Sequence, residues 1–232
     1  IKKMKLFSAK NFIRNLIFGN YREEILSNQI INEMESLENF KNKKIIKIID
    51  YGSGYNPIVI KKIIAKLSKK YKKTKFIAHC YDIYKKKELK LLKSNKMIKF
   101  FHINTLPFNK KKKYNFCLLL DVLHHIDIKN SNKIKKITKN LKNMSKYIFI
   151  KDHFQHGLIS NFILRLMDFV SNYSDNVKIP SIYFNISTYE NFISSLKIRE
   201  IKRINDISYY KWYWFFFNNK KLQFISVLKK NG

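Results

Sequence analysis

The sequence predicts an α/β fold, a mostly parallel sheet with helices on both of its faces. Three observations predict it. Short apolar runs at 44–50, 75–81, 97–103, 115–120 and 146–150 alternate with helix-period stretches, chiefly 57–71 and 129–144. That rhythm belongs to strand–helix–strand units with right-handed crossovers. The first run ends in Asp50 and a Gly52-Ser53-Gly54 turn before a helix start. Polar residues then stand at the ends of later runs: Asp82, Asp121 and Lys151-Asp152-His153. Sheets of this kind bind ligands at the carboxyl ends of their strands.

The elements follow in order. Residues 5–40 read as helical, with Phe12, Ile13, Leu16, Ile17, Ile30, Ile31 and Met34 at helix spacing. We expect residues 1–43 to form a helical cover and 44–232 to form the ligand-binding body, together a single structural domain. In the helix at 57–71, Asn56 stands at the N-cap and Pro57 at the first position, a favoured pairing. Ile60, Ile63, Ile64 and Leu67 make its inner face. A short helix is expected over 87–93. Residues 154–187 interrupt the alternation as a helical lid insertion, with a helix at 157–170 and a loop carrying Tyr173, Asn176, Pro180, Tyr183 and Phe184. Ser187-Thr188-Tyr189-Glu190 has the spacing of a capping box for a helix to Leu196. Strands are expected at 197–204 and 222–228, and the aromatic run 209–217 reads as one more.

Composition narrows the function classes. The 232 residues suffice for one large domain, and 45% hydrophobic content argues against disorder. The net charge is +32, from 48 Lys+Arg against 16 Asp+Glu. Arg occurs only at 14, 22, 165, 199 and 203. A phosphate-gripping surface leans on the bidentate Arg fork, so we read the charge as compositional bias spread over solvated faces. A nucleic-acid partner is the alternative. Cys80 and Cys117 have neither disulfide nor zinc spacing and read as buried thiols of a cytoplasmic protein. No apolar run has the length of a membrane span, and the first residues lack the apolar core of a signal peptide. Leu158, Phe162, Leu166 and Phe169 of the lid helix are expected to pack on the core; lying on a membrane surface is the alternative.

The candidate site follows from the strand ends. Gly52 and Gly54 permit a tight turn and close backbone approach to a ligand. Asp82, after the second strand, stands where an acidic side chain accepts both ribose hydroxyls. Asn104 and Thr105 follow the third strand, where a polar group meets an adenine amino group and Leu106-Pro107-Phe108 wall the ring. Asp152 and His153 bring a carboxylate and an imidazole to the place where a second substrate enters, suited to general-base chemistry.

The segment Tyr114 to Ile126 makes the reading specific. An apolar strand followed by Asp121-Val122-Leu123-His124-His125-Ile126 resembles the post-strand-four segment of class I S-adenosylmethionine-dependent methyltransferases, especially the type 11 methyltransferase-domain group. The turn at 50–54 is similar to that family's first motif, Asp82 to its ribose-binding acid, and 104–108 to its Asp-x-x-x-Leu-Pro-Phe motif. The resemblance covers 44–153 and the closing strands. Asn56 departs from it in place of a third Gly, and Asn104 in place of an acid.

The resemblance implies a Rossmann-like, seven-stranded sheet whose last strand is antiparallel. It implies S-adenosyl-L-methionine as cofactor, bound by Asp50, Gly52, Ser53, Gly54, Asp82, Asn104, Thr105, Asp121, Val122 and His124. His153, Asp152 and His125 are the candidate catalytic residues, and no metal is assigned. A divalent cation on Asp121, Asp152 and His153 is the alternative. The expected activity is methyl transfer to a small-molecule or lipid-like acceptor, on oxygen, with peripheral membrane contact left open. The rivals are an RNA methyltransferase and a non-catalytic nucleotide-binding member of the fold. Against the first, Asp121-Val122-Leu123 replaces the Asn-Pro-Pro-Tyr-like motif of amino-group methylation. A nicotinamide-dependent oxidoreductase fits the His-His segment poorly.

Overall fold

Seven strands align in the order β3-β2-β1-β4-β5-β7-β6 in a computed structural model, which describes residues 21–54, 57–83, 96–106, 114–126, 131–172, 179–205, 207–209 and 219–230. They are β1 (Ile45–Tyr51), β2 (Lys75–Asp82), β3 (Ile98–His102), β4 (Tyr114–Leu120), β5 (Ser145–His153), β6 (Arg199–Ile204) and β7 (Gln223–Lys229). β1 to β5 pair in parallel, and β7 runs antiparallel to both β5 and β6. The described helices are α1 (Tyr21–Leu37), α2 (Ile58–Lys70), α3 (Ser131–Met144), α4 (Leu158–Asn172) and α5 (Ile186–Ser195). None is long and apolar enough to cross a membrane.

The central strands β1, β4 and β5 are apolar on both faces, so both faces must be covered. Ile46, Ile48, Phe116, Leu118, Tyr147 and Phe149 share one core with Leu26, Ile30 and Met34 of α1 and Ile60, Ile63 and Leu67 of α2. The alternate residues, Ile49, Cys117, Leu119, Ile148 and Ile150, share the other core with Ile134 and Leu141 of α3 and Tyr189, Phe192 and Ile193 of α5. The two-residue period of the strands makes that division. β6 closes one edge with Arg199, Glu200, Lys202 and Arg203, charges that oppose further strand addition.

α1 belongs to the body of the fold, because its apolar stripe enters the same core as α2. Its glutamates reach lysines from across the chain. Glu24 meets Lys62 at 2.6 Å and also Lys66, Glu35 meets Lys70 at 2.7 Å, and Glu33 meets Lys202 at 2.6 Å. Exposed pairs contribute about 0–1 kcal/mol each, so the apolar stripe carries the docking and the pairs set its direction.

Several local expectations change. Pro57 is itself the N-cap residue of α2, with its carbonyl accepting from Lys61 N at 3.1 Å, rather than the first helical residue. Asn56, the helix expected at 87–93 and most of the aromatic run fall outside the described residues; Tyr209 of that run is buried in coil. β5 extends through His153, which makes Lys151, Asp152 and His153 strand residues. α5 begins two residues early. Its capping box is Asn185 with Thr188, not Ser187 with Glu190, since Asn185 Oδ1 accepts from Thr188 N at 2.8 Å and Thr188 Oγ1 from Asn185 N at 2.9 Å. α4 turns Leu158, Ile159, Phe162, Leu166 and Phe169 to solvent and buries Leu164, Met167 and Asp168. The helix is apolar around most of its circumference, so periodicity alone selected the wrong stripe.

The capping geometry gives a simple test. Asn185→Ala is expected to destabilise the protein by about 1 kcal/mol in urea unfolding, whereas Ser187→Ala changes it by less than about 0.5 kcal/mol. The opposite ranking contradicts the cap assignment.

Candidate functional site at the strand ends

The strand order β2-β1-β4-β5 sets four carboxyl ends side by side. At the first, Gly52 has φ 79° and its N–H donates to the Tyr81 carbonyl at 2.8 Å. A Cβ on Gly52 would lie 2.5 Å from Val122 Cγ2, so only Gly lets the β1 turn pass the β4 segment. Gly54 has φ 70°, with open space where a Cβ would stand. Its N–H donates to Asp82 Oδ2 at 2.7 Å, and Ile83 N–H donates to Asp82 Oδ1 at 2.7 Å. Asp82 therefore fixes the glycine turn while standing beside it. Asp50 lies buried beneath, and burial, then the nearby Asp82 charge, push its carboxyl up to about 7.

The β2–β3 register pairs Asp82 with His102. A 3-10 turn, Ile103–Thr105, follows at once. Thr105 Oγ1 donates to the His102 carbonyl at 2.6 Å, and Asn104 N–H donates to His102 Nδ1 at 3.2 Å. The Asn104 and Thr105 side chains are exposed on the β2 side of the glycine turn.

The β4 and β5 ends hold a buried charge network. Asp121 takes the left-handed conformation, φ 55°, which Asp tolerates better than most residues. Its N–H donates to the Lys151 carbonyl at 2.9 Å. Its carboxylate is gripped on one oxygen by the Lys151 ammonium and on the other by the Arg22 guanidinium of α1. Burial acts to raise the Asp121 pKa, but Lys151 and Arg22 outweigh it and hold the group well below the carboxylate range. Lys151 is itself fully buried, over the Tyr209 ring at 5.3 Å.

Beside this pair, Asp152 accepts from His124 Nδ1 at 2.6 Å, His124 N at 3.3 Å and His153 N at 2.8 Å. Burial opposes its ionisation, but His124 and these bonds keep it a carboxylate. Burial likewise disfavours charge on His124, but Asp152 and Asp168 prevail and raise it to about 9. Asp168 Oδ2, on α4, lies 3.4 Å from His124 Nε2 and accepts from Tyr183 Oη at 2.6 Å. His153 differs. Burial, then the Lys151 charge, lower its pKa, and its Nδ1 makes no hydrogen bond, lying 3.6 Å from both Asp121 Oδ1 and Asp152 Oδ1. The His125 ring packs 4.0 Å from that of His124.

The structure thus brings Asp50, Gly52, Ser53, Gly54, Asp82 and Val122 to one corner, and Asp121, His124, His125, Asp152 and His153 to the next. Sequence reasoning gave Arg22 and Asp168 no place in the site and named Lys151 at a strand end without a role. Each carried a signal: Arg22 is among few Arg, Lys151 follows the apolar run Tyr147–Ile150, and Asp168 is one of 16 acidic residues in a strongly basic chain.

No protein-family model matches the chain, and no curated protein matches it in sequence. Solved structures match it in fold. A SAM-dependent methyltransferase from Archaeoglobus fulgidus aligns over 94% of this chain and 98% of its own, at 13% identity and TM-score 0.57. The CMeT domain of the citrinin polyketide synthase aligns over 89% of this chain and 52% of that one, at 10% identity and TM-score 0.59. LepI, in complex with SAM, aligns over 87% and 46%, at 12% identity and TM-score 0.55. The chain spans about half the length of the latter two. It has the Rossmann-like fold of class I S-adenosylmethionine-dependent methyltransferases.

Two outcomes follow from the geometry. Gly54→Ala is expected to cost about 1–2 kcal/mol for its left-handed backbone. Gly52→Ala adds an overpacking cost of about 1–3 kcal/mol against Val122, and equal losses in urea unfolding would contradict the close approach. Asp50 is bound to its proton more tightly in the folded chain than in the unfolded one. Its contribution to stability is full below the ordinary value of 3.8 and is lost as pH rises through about 7. Asp50→Asn should remove that fall; an unchanged profile between those values would contradict the buried placement.

Proposed function

We propose that this protein binds S-adenosyl-L-methionine at the strand ends and transfers its methyl group to oxygen of a small-molecule or lipid-like acceptor. One observation carries the reading: the Gly52–Gly54 turn, Asp82 and the Asp121–His125 segment, separate in sequence, meet at adjacent strand ends. The residues fit the cofactor. Open space above Gly54 admits a ligand against the backbone, and Asp82 is placed for the ribose hydroxyls. Asn104 and Thr105 face the adenine side. Asp121, Val122 and His124 border the methionine end.

When bound, the cofactor supplies an electrophilic methyl group and leaves as S-adenosylhomocysteine. Such transfer depends mainly on in-line positioning. The chain's own task at the acceptor is to order it and remove a proton. Asp152 is committed to three hydrogen bonds and serves to orient its neighbours. His153 is the better base. It is held neutral, and a proton on Nδ1, facing the Asp121 and Asp152 carboxylates, leaves Nε2 to take the acceptor proton. His125, half-buried beside His124, lines the acceptor side.

The net charge of +32 remains the one argument for an RNA acceptor. Several lysines have a structural task instead, pairing with α1 glutamates. We also propose a cytoplasmic location, since Cys80 and Cys117 are buried free thiols.

Calorimetry with S-adenosylhomocysteine tests the cofactor reading. Binding is expected, with Asp82→Ala weakening it at least tenfold; absence of binding to the folded chain would refute it. His153→Ala is expected to lower kcat by about 10²–10⁴ while leaving that binding intact. An unchanged rate would remove His153 as base.

A further inference from the structure

A second ligand site emerges on the far side of His124 from Asp152. His124 and His125 are consecutive on the 3-10 turn Leu123–His125 that follows β4, and Asp168 reaches them from α4. One ring nitrogen from each histidine and one Asp168 oxygen all lie within 4.8 Å of one another. His124 is 1% exposed, and its Nε2 is buried without a hydrogen bond.

We propose that His124, His125 and Asp168 bind a divalent transition-metal ion, with His124 Nε2 and Asp168 Oδ2 as two of its ligands.

The distances favour an ion over a hydrogen bond. His124 Nε2 and Asp168 Oδ2 are 3.4 Å apart, long for N–H···O, whose usual range is about 2.7–3.2 Å. Two donors on one ion, with bonds of about 2.0–2.2 Å, stand about 3–3.5 Å apart. The opposite nitrogen makes the contrast. His124 Nδ1 lies 2.6 Å from Asp152 Oδ1, a hydrogen bond too short for two ligands of one ion. Asp121, the other carboxylate considered for a metal, is already taken by Lys151 and Arg22.

Both ligands have the supporting partners that metal ligands need. Asp152 fixes the His124 ring through Nδ1, a carboxylate–histidine arrangement that leaves Nε2 for the metal. Tyr183 Oη donates to Asp168 Oδ2 at 2.6 Å and fixes the carboxylate. The charges agree. Asp152 and Asp168 stand on either side of His124, with Asp121 nearby paired to Lys151 and Arg22, so the pocket favours a further positive charge. Two imidazoles and one carboxylate select zinc, iron(II) or cobalt(II) over magnesium or calcium, which take oxygen ligands. Three protein ligands leave positions open, and the His153 ring lies 5.2 Å from that of His124. An acceptor oxygen placed before His153 would complete the coordination; that consequence alone rests on the methyl-transfer reading.

The full chain, stripped with a chelator and dialysed, would be titrated with Co²⁺ and followed by visible absorption, then with Zn²⁺ by calorimetry. About one Co²⁺ per chain is expected, with ligand-field bands of low coordination number, displaced by Zn²⁺ and not by Mg²⁺. Asp168→Asn and His125→Ala should each weaken Zn²⁺ affinity at least tenfold. Asp152→Asn, which loosens the hold on the His124 ring, should weaken it about 10–100-fold. His156→Ala, outside the cluster, should leave it unchanged. No Co²⁺ bands in the wild type would overturn the inference without recourse to any variant. So would undiminished binding in Asp168→Asn and His125→Ala chains that circular dichroism shows folded. S-adenosylhomocysteine binding, measured on the same samples, separates failure of the metal site from failure of the cofactor reading.

Discussion

The half-buried carboxylate of Asp121 organises this molecule. It stands where the chain leaves β4, in a left-handed backbone conformation, with its N–H bound to β5. Lys151 of β5 and Arg22 of α1 neutralise it from two directions. Three separate parts of the chain therefore meet on one side chain. The ordinary account of a buried ion pair gives it little net stability over an apolar replacement, while losing one partner costs about 3–5 kcal/mol. Its effect is to fix position. α1 starts beside the β4 turn, Val122 is set against Gly52, and the neighbouring Asp152 is left to order His124 and His153.

Environment divides the labour among chemically similar groups. Asp50, Asp82 and Asp152 are buried carboxylates at strand ends, and Asp121 is a half-buried one. Asp50 is held partly protonated by burial, while Asp121 and Asp152 are kept ionised by the cations they face. His124 is drawn towards charge by Asp152 and Asp168, whereas His153, close to Lys151, is pushed away from it. Adjacent imidazoles with opposed tendencies are what separate roles at one site require.

Much of this was legible in the sequence, and the rest was not for definite reasons. The strands showed because β1 and β4 are largely apolar runs with an acidic residue at their carboxyl ends, a local signal. The glycine turn, Asp82 and the Asp121–His125 segment showed because each follows directly on a strand. The partners of Asp121 did not show, since Arg22 is 99 residues away and Lys151 30, distances that only strand order closes. Asp168 was hidden for another reason. α4 is apolar nearly all round, so its pattern did not reveal that the Asp168 side faces the core and the Phe162 side faces solvent. The α5 cap lies at Asn185, two residues ahead of the expected start, where its side chain accepts from Thr188 N–H and the Thr188 hydroxyl accepts in return.

The central claim is that one set of strand ends forms the cofactor site and sets a base against the departing methyl group. A crystal structure with S-adenosylhomocysteine bound would test it most directly. The account predicts the adenosyl ribose on Asp82, the carboxypropyl end near Asp121 and Val122, and the sulfur facing the space before His153. A ligand bound elsewhere, or a sulfur turned away from His153 with Asp82 unengaged, would contradict it.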